Sequence, residues 1–276
     1  MNSKFLTILL FSFLMCSSHL NQAQTELNWG CFESKHQSKV RFLELDSYQN
    51  IYTVDQNSTL SKLNLKGEII ATFGFAKYGT LSSIHVLNPS KMMLFYKDAG
   101  IILFLNDQLT PITQPFILFN NNYQNISLAT FSNQNQIYLY DQINMKLFVL
   151  DFFMREISQN QLNFINFNPS KMFSIYDKGI IMQDEENGVL FFDSFGTYQK
   201  QIPLRSTTEF QWMDNKICFF DKGLWNEYDV QKLDWIQYDI TKLIFNSIEL
   251  EQVKKGNQFF VGVDSKGKLL ICPQNF

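Results

Sequence analysis

Six aspartates end short apolar runs at a nearly fixed interval: Asp55, Asp98, Asp141, Asp184, Asp221 and Asp264. Successive members lie 43, 43, 43, 37 and 43 residues apart. Two chemistries suit such a series. A ring of carboxylates could gather cations. Alternatively, each carboxylate could accept backbone N–H groups of the turn that follows it. Repetition in every unit favours the second, since a binding site normally breaks the symmetry of a repeat.

Other reactive side chains are sparse. Of three histidines, His19 falls within or beside a segment expected to be cleaved, which leaves His36 and His85. They lie far apart, and the cysteines offer no ligand spacing for zinc. No serine elbow, phosphate loop or paired-cysteine redox motif is present. Four residues fall where short strands would line a shared channel: His85, Glu209, Trp212 and Glu251. Polar and aromatic groups meeting at a channel mouth could hold a small ligand or a peptide. Ordinary channel lining is the competing reading for each.

The elements that position these residues follow from the repeat. A period of about 40 built from short strands is that of a propeller blade. No amphipathic pattern of helical period is sustained. The first unit reads as four strands at 42–45, 51–54, 60–63 and 69–73, and the third at 127–130, 137–140, 146–150 and 153–157. Six such units predict an all-β, six-bladed propeller of four-stranded antiparallel blades. Residues 88–92 recur as 168–172, an offset of 80, so one loop has moved or one strand is misplaced. The 37-residue interval marks a second irregular unit.

The last unit has room for only three strands, at 248–253, 259–263 and 268–272. The segment 26–32 precedes the first inner strand and is otherwise unemployed, so it is expected to supply the missing outer strand and close the ring. That places Cys31 beside Cys272, either as a disulfide or as two buried thiols. Cys218 reads as core.

Composition agrees with a large core. Hydrophobic residues make up 45% of the 276-residue chain, with 28 Phe and 11 Tyr. Formal charge is -3, so no basic field is available to gather nucleic acid. Lys4 followed by an apolar run through Met15 predicts a signal peptide at residues 1–23, with cleavage after Ala23 or after Ser18. A single propeller domain at 24–276 remains. Cys16 stands where an acylated cysteine would, although Met15 before it is not the usual small residue. Membrane attachment is expected only through that lipid. The new start at Gln24 resembles those of exported proteins of flavobacteria and their relatives.

A second strand ending in Asp, a polar turn, a third strand and then Asp/Asn-x-x-Gly resembles the NHL-type propeller repeat. Residues 42–73 and 179–200 carry it best. The resemblance implies the architecture and leaves chemistry open, since such propellers include binding scaffolds, lyases and lactonase-like hydrolases. The lyases imply a histidine-rich metal site that this chain cannot supply. The expected function is therefore non-catalytic binding in the bacterial cell envelope, by a monomer that is periplasmic or secreted, or an outer-membrane lipoprotein. The partner would be a protein, a peptide or a small molecule. The alternative is a calcium-dependent hydrolase or lyase at the channel mouth.

Overall fold

Strands in which nearly every residue is apolar cannot face water on either side, so they form the middle of a stacked sheet. The stretch Ile51–Asp55 is buried throughout, as are Ile137–Asp141, Ile180–Asp184 and Gly188–Phe192. Outer strands such as Ile69–Gly74 and Glu156–Gln161 alternate exposed with half-buried positions instead. The computed structural model describes residues 28–35, 38–74, 76–88, 90–121, 123–163, 167–175, 178–206 and 208–275. The expected signal peptide, with Cys16 and His19, lies outside them, as does His36.

Six antiparallel sheets form a six-bladed β-propeller. Blade one comprises Val40–Leu45, Ile51–Asp55, Thr59–Leu63 and Ile69–Gly74, from the channel outward. Blades two to five begin with inner strands Ser83–Asn88, Ile126–Phe131, Lys171–Ser174 and Gln211–Met213. Blade six begins with Leu250–Lys255 and continues through Phe259–Asp264 and Leu269–Asn275. Its outer edge comes from the other end of the chain. Asn28 and Trp29 pair with Asn275 and Gln274, while Phe32 and Glu33 pair with Ile271 and Leu270. Between these two short pairings, Cys31 is joined to Cys272 by a disulfide across 241 residues.

Six buried clusters hold the disc together, one in each gap between neighbouring blades. Alternation along a strand explains how one blade serves two gaps. Ile51 faces blade six, where it meets Val261 and Ile271. Its neighbour Tyr52 faces blade two, where it meets Met92 and Leu103. The gap between blades six and one is sealed further by Ser34, whose hydroxyl donates to Gly67 O at 3.1 Å. Gly67 has φ +74°, and a Cβ there would lie 2.8 Å from that hydroxyl, so the contact requires glycine.

Turn chemistry repeats around the ring. Asn64, Asn106, Asp151 and Asp193 each accept the amides two and four residues ahead, closing the turn between third and fourth strands. This moves the outer strand of blade three to Glu156–Gln161 rather than 153–157, because Asp151 holds Phe153 and Arg155 in the turn. Blade six likewise starts at Leu250 rather than 248. Asp239 caps a short helix, Ile240–Leu243, and Asn246 and Ser247 turn with positive φ before the strand begins.

Both irregular units now have causes. The repeated pentapeptide serves two connections: Lys91 opens the second strand of blade two, whereas Lys171 opens the inner strand of blade four. Blade five joins its inner and second strands through Asp214 and Asn215 alone, both at positive φ. That two-residue hairpin replaces a five-residue connection in blade four (175–179) and makes the largest contribution to the short interval.

Candidate functional site

The inner strands converge on a channel whose mouth opens on the face carrying the inner-to-second-strand loops of blades one and six. A cavity of about 290 Å³ lies there, lined by all six inner strands. His85, Glu209 and Trp212 line it. Glu251 does not. It falls in the register shift between Leu250 and Gln252, is exposed, and is not among the residues that line the cavity. The expectation that Glu251 lines the channel is corrected accordingly: the bulge hands the role to Lys254.

Lys254 is the centre of the mouth. Its ammonium donates to Glu44 Oε1 at 3.0 Å and to Glu209 Oε2 at 3.3 Å, and its side chain is 8% exposed. Glu209 is approached from its other oxygen by Lys171 Nζ at 3.8 Å, an ion pair too long for a hydrogen bond. Burial of Lys254 works against its charge, but Glu209 and Glu44 outweigh this and raise its pKa. Desolvation pulls Glu209 upward, yet Lys254 and Lys171 together hold it below the ordinary range. Glu44 goes the other way. Burial pushes its carboxyl up to about 7, with Lys254 opposing and Glu209 assisting.

His85 stands on the wall between blades two and three. Its Nε2 meets Ser83 Oγ at 2.9 Å and its Nδ1 meets Thr130 Oγ1 at 3.2 Å. Burial lowers its pKa to about 4, so at neutral pH the ring is uncharged and engaged by hydroxyls at both nitrogens. Trp212 is half-buried on the opposite side, its ring edge-on to Phe191 at 6.2 Å. Gln211 ties blade five to blade six by donating to Lys255 O and accepting from Lys255 N.

A second charged cluster sits behind the mouth, in the gap between blades five and six. Glu227 accepts from Lys255 at 2.5 Å, Lys216 at 2.9 Å, Tyr238 at 3.0 Å and the Trp225 indole at 3.1 Å. Although desolvation raises its pKa, these donors bring it down to about 2. Cys218 lies in the same gap, and burial pushes its thiol up to about 12. Trp225 is therefore core, while Trp235 is partly exposed on the outer strand, edge-on to Phe219 and Tyr228.

The six periodic aspartates do not form a site. Asp55, Asp141, Asp184 and Asp264 each accept backbone amides of the turn that follows. Asp98 and Asp221 depart from that pattern. Asp98 is exposed two residues beyond the strand Lys91–Tyr96, and Asp221 leads into the two-residue hairpin Lys222–Gly223 with both φ positive. Among the described residues, no group of three or more His, Cys, Asp or Glu side chains is arranged to hold a metal ion. No helix among them is long and apolar enough to cross a membrane.

Sequence reasoning found three of the mouth residues and missed Glu44, Lys171 and Lys254. Glu44 stands between Leu43 and Leu45 on its inner strand, whereas Lys171 opens its strand after Ser170 and Lys254 is followed by Lys255, so neither lysine stood out from its surroundings.

No protein-family profile matches the chain, and no curated protein matches its sequence. Solved structures do match its fold. The WD40 domain of Pan2 from Neurospora crassa is similar at a TM-score of 0.63 and 10% identity, covering 91% of this chain and 97% of that one. A Bacteroides fragilis protein described as exported gives 0.59 and 13% identity, covering 92% and 97%. A catalytically inactive virginiamycin B lyase from Staphylococcus aureus, solved with quinupristin, gives 0.57 and 10% identity, covering 90% and 99%. At such identities the likeness carries the propeller fold. It does not single out the NHL-type repeat.

Proposed function

We propose that this chain is a binding propeller of the bacterial cell envelope, exported and non-catalytic, whose channel mouth seats a peptide segment or a small polar ligand. One observation carries the reading. Glu209, Lys254 and Trp212 line one cavity, and Lys171 Nζ stands 3.8 Å from the Glu209 oxygen that Lys254 does not take, so a donor and an acceptor are on offer to an incoming group. A peptide amide needs that pairing of donor and acceptor next to an apolar wall. The nucleophile and base candidates point the same way. His85 is held by two hydroxyls, and the Cys218 thiol is buried away from the mouth. Both mouth carboxylates are engaged by Lys254, which occupies the place a divalent cation would take in the calcium-dependent alternative. Similar discs include a WD40 domain and a lyase, so the fold is neutral and the reading rests on the site.

The test is a photo-crosslinking residue placed at Trp212 in the mouth and, separately, at Ile236 on the exposed outer strand of blade five, both in the producing cells. An adduct formed from position 212 and not from 236 is the expected result. Adducts from 236 alone would move recognition to the rim and overturn the proposal.

A further inference from the structure

We infer that the mouth takes a carboxylate-bearing ligand on Lys171 and Lys254, and that proton uptake by Glu44 strengthens the grip. This rests on the mouth being the recognition site and adds the class of ligand and its regulation. Charged and titratable groups face Glu44 from the neighbouring blades. On its own blade the neighbouring acid is Asp46, whose oxygens are taken by Tyr48 N, Asn50 and the Tyr52 hydroxyl. Blade two presents His85, uncharged at neutral pH, and blade three presents the hydroxyl of Thr130. Blade four contributes Lys171, whose charge reaches Glu44 although its side chain is not among those lining the cavity, blade five Glu209, and blade six Lys254 and Lys255. Lys255 is committed to Glu227.

With Glu44 ionised, two ammonium groups face two carboxylates and the mouth is balanced. With Glu44 neutral, one positive charge is in excess. Geometry places that excess where a ligand can use it. Lys254 has three protons and two carboxylate partners, and it loses its shorter partner when Glu44 is protonated. Among the described residues, no acceptor lies within hydrogen-bond distance of Lys171, which is 41% exposed and 3.8 Å from Glu209. Phe173 and Trp212 supply an apolar wall. A cavity of about 290 Å³ is at the small end of ligand sites, with room for one or two residues of a peptide. Burial sets Glu44 to titrate near neutrality, at about 7. The switch therefore works between pH 6 and pH 8.

The probes are N-acetyltryptophan and its amide, titrated calorimetrically into the protein at pH 6 and pH 8. Between those values the neutral fraction of Glu44 changes about tenfold, so the acid is expected to bind about tenfold tighter at pH 6, and the amide equally at both. Glu44→Gln is expected to bind the acid at pH 8 as tightly as the native protein does at pH 6. Lys171→Ala, at a half-exposed position, is expected to weaken the acid at least tenfold more than the amide, since the acid loses an ion pair and the amide a neutral hydrogen bond. Equal binding of acid and amide, both lost in Trp212→Ala, would overturn the carboxylate assignment and leave the recognition seat standing. A pH gain that persists in Glu44→Gln would overturn the regulation. Binding of neither probe at either pH would overturn the assignment too, with the crosslinking at position 212 deciding the seat independently.

Discussion

Replacing Cys31 and Cys272 together by serine is expected to lower the unfolding free energy by about 2 to 5 kcal/mol. The crosslink spans 241 residues, so the unfolded chain it constrains is nearly the whole propeller. The strand it anchors is otherwise weakly held. Among the described residues of the N-terminal segment, Asn28, Trp29, Phe32 and Glu33 pair with Leu269–Asn275, in two short pieces. Gly30 and Ser34 add single amide bonds to Pro273 and Leu269. Without the covalent tie, the last blade should open first. Hydrogen exchange would show this as fast exchange at residues 269–275, ahead of the middle strands of blades two to four. Urea midpoints of the native and double-serine proteins give the magnitude. Unchanged stability with protected residues 269–275 would mean that the pairing alone closes the ring.

Glu227→Ala is expected to lower stability at pH 7 by about 2 to 3 kcal/mol. Removing one partner of a buried charge network leaves the others uncompensated. The figure is set below the largest values for such losses because Lys216 and Lys255 keep some contact with water. The pH dependence follows from linkage. The folded pKa of Glu227 is about 2, below its unfolded value, so its stabilisation is fully present above that unfolded value and is lost as pH falls toward 2. The gap between native and variant midpoints should therefore shrink between pH 5 and pH 2. A gap of equal size at pH 7 and pH 2.5 would assign the loss to the cavity left by the side chain rather than to its charge.

What was legible in the sequence was whatever repeats. The strand-ending aspartates marked the blades, and the count of strands at each end foretold that residues near 30 would finish the sheet begun at Leu250. Boundaries slipped where a turn was fixed by side chains outside the strand pattern. Asp151 displaced one outer strand, and the capped helix at Ile240–Leu243 delayed another inner strand.

The mouth was harder to read because ring closure brings together residues with no local relation. Glu44 and Lys254 are 210 positions apart, and Lys254 and Glu209 are 45 apart. A strand ladder fixes side by period two, so the single bulge between Leu250 and Gln252 was enough to exchange Glu251 for Lys254 at the channel. His85 and Trp212 were recoverable because each pairs in register with its neighbour strand, the shift in blade two falling beyond His85, between Val86 and Asn88.

The most direct test of the mouth as a recognition seat is a crystal structure of the protein grown at pH 6 with both N-acetyltryptophan and calcium. The expected result is the ligand carboxylate between Lys171 and Lys254, its indole beside Trp212, and Lys254 still paired with Glu209. A calcium ion held by Glu44 and Glu209, with Lys254 displaced from both, would contradict it and make metal-dependent catalysis the reading to pursue.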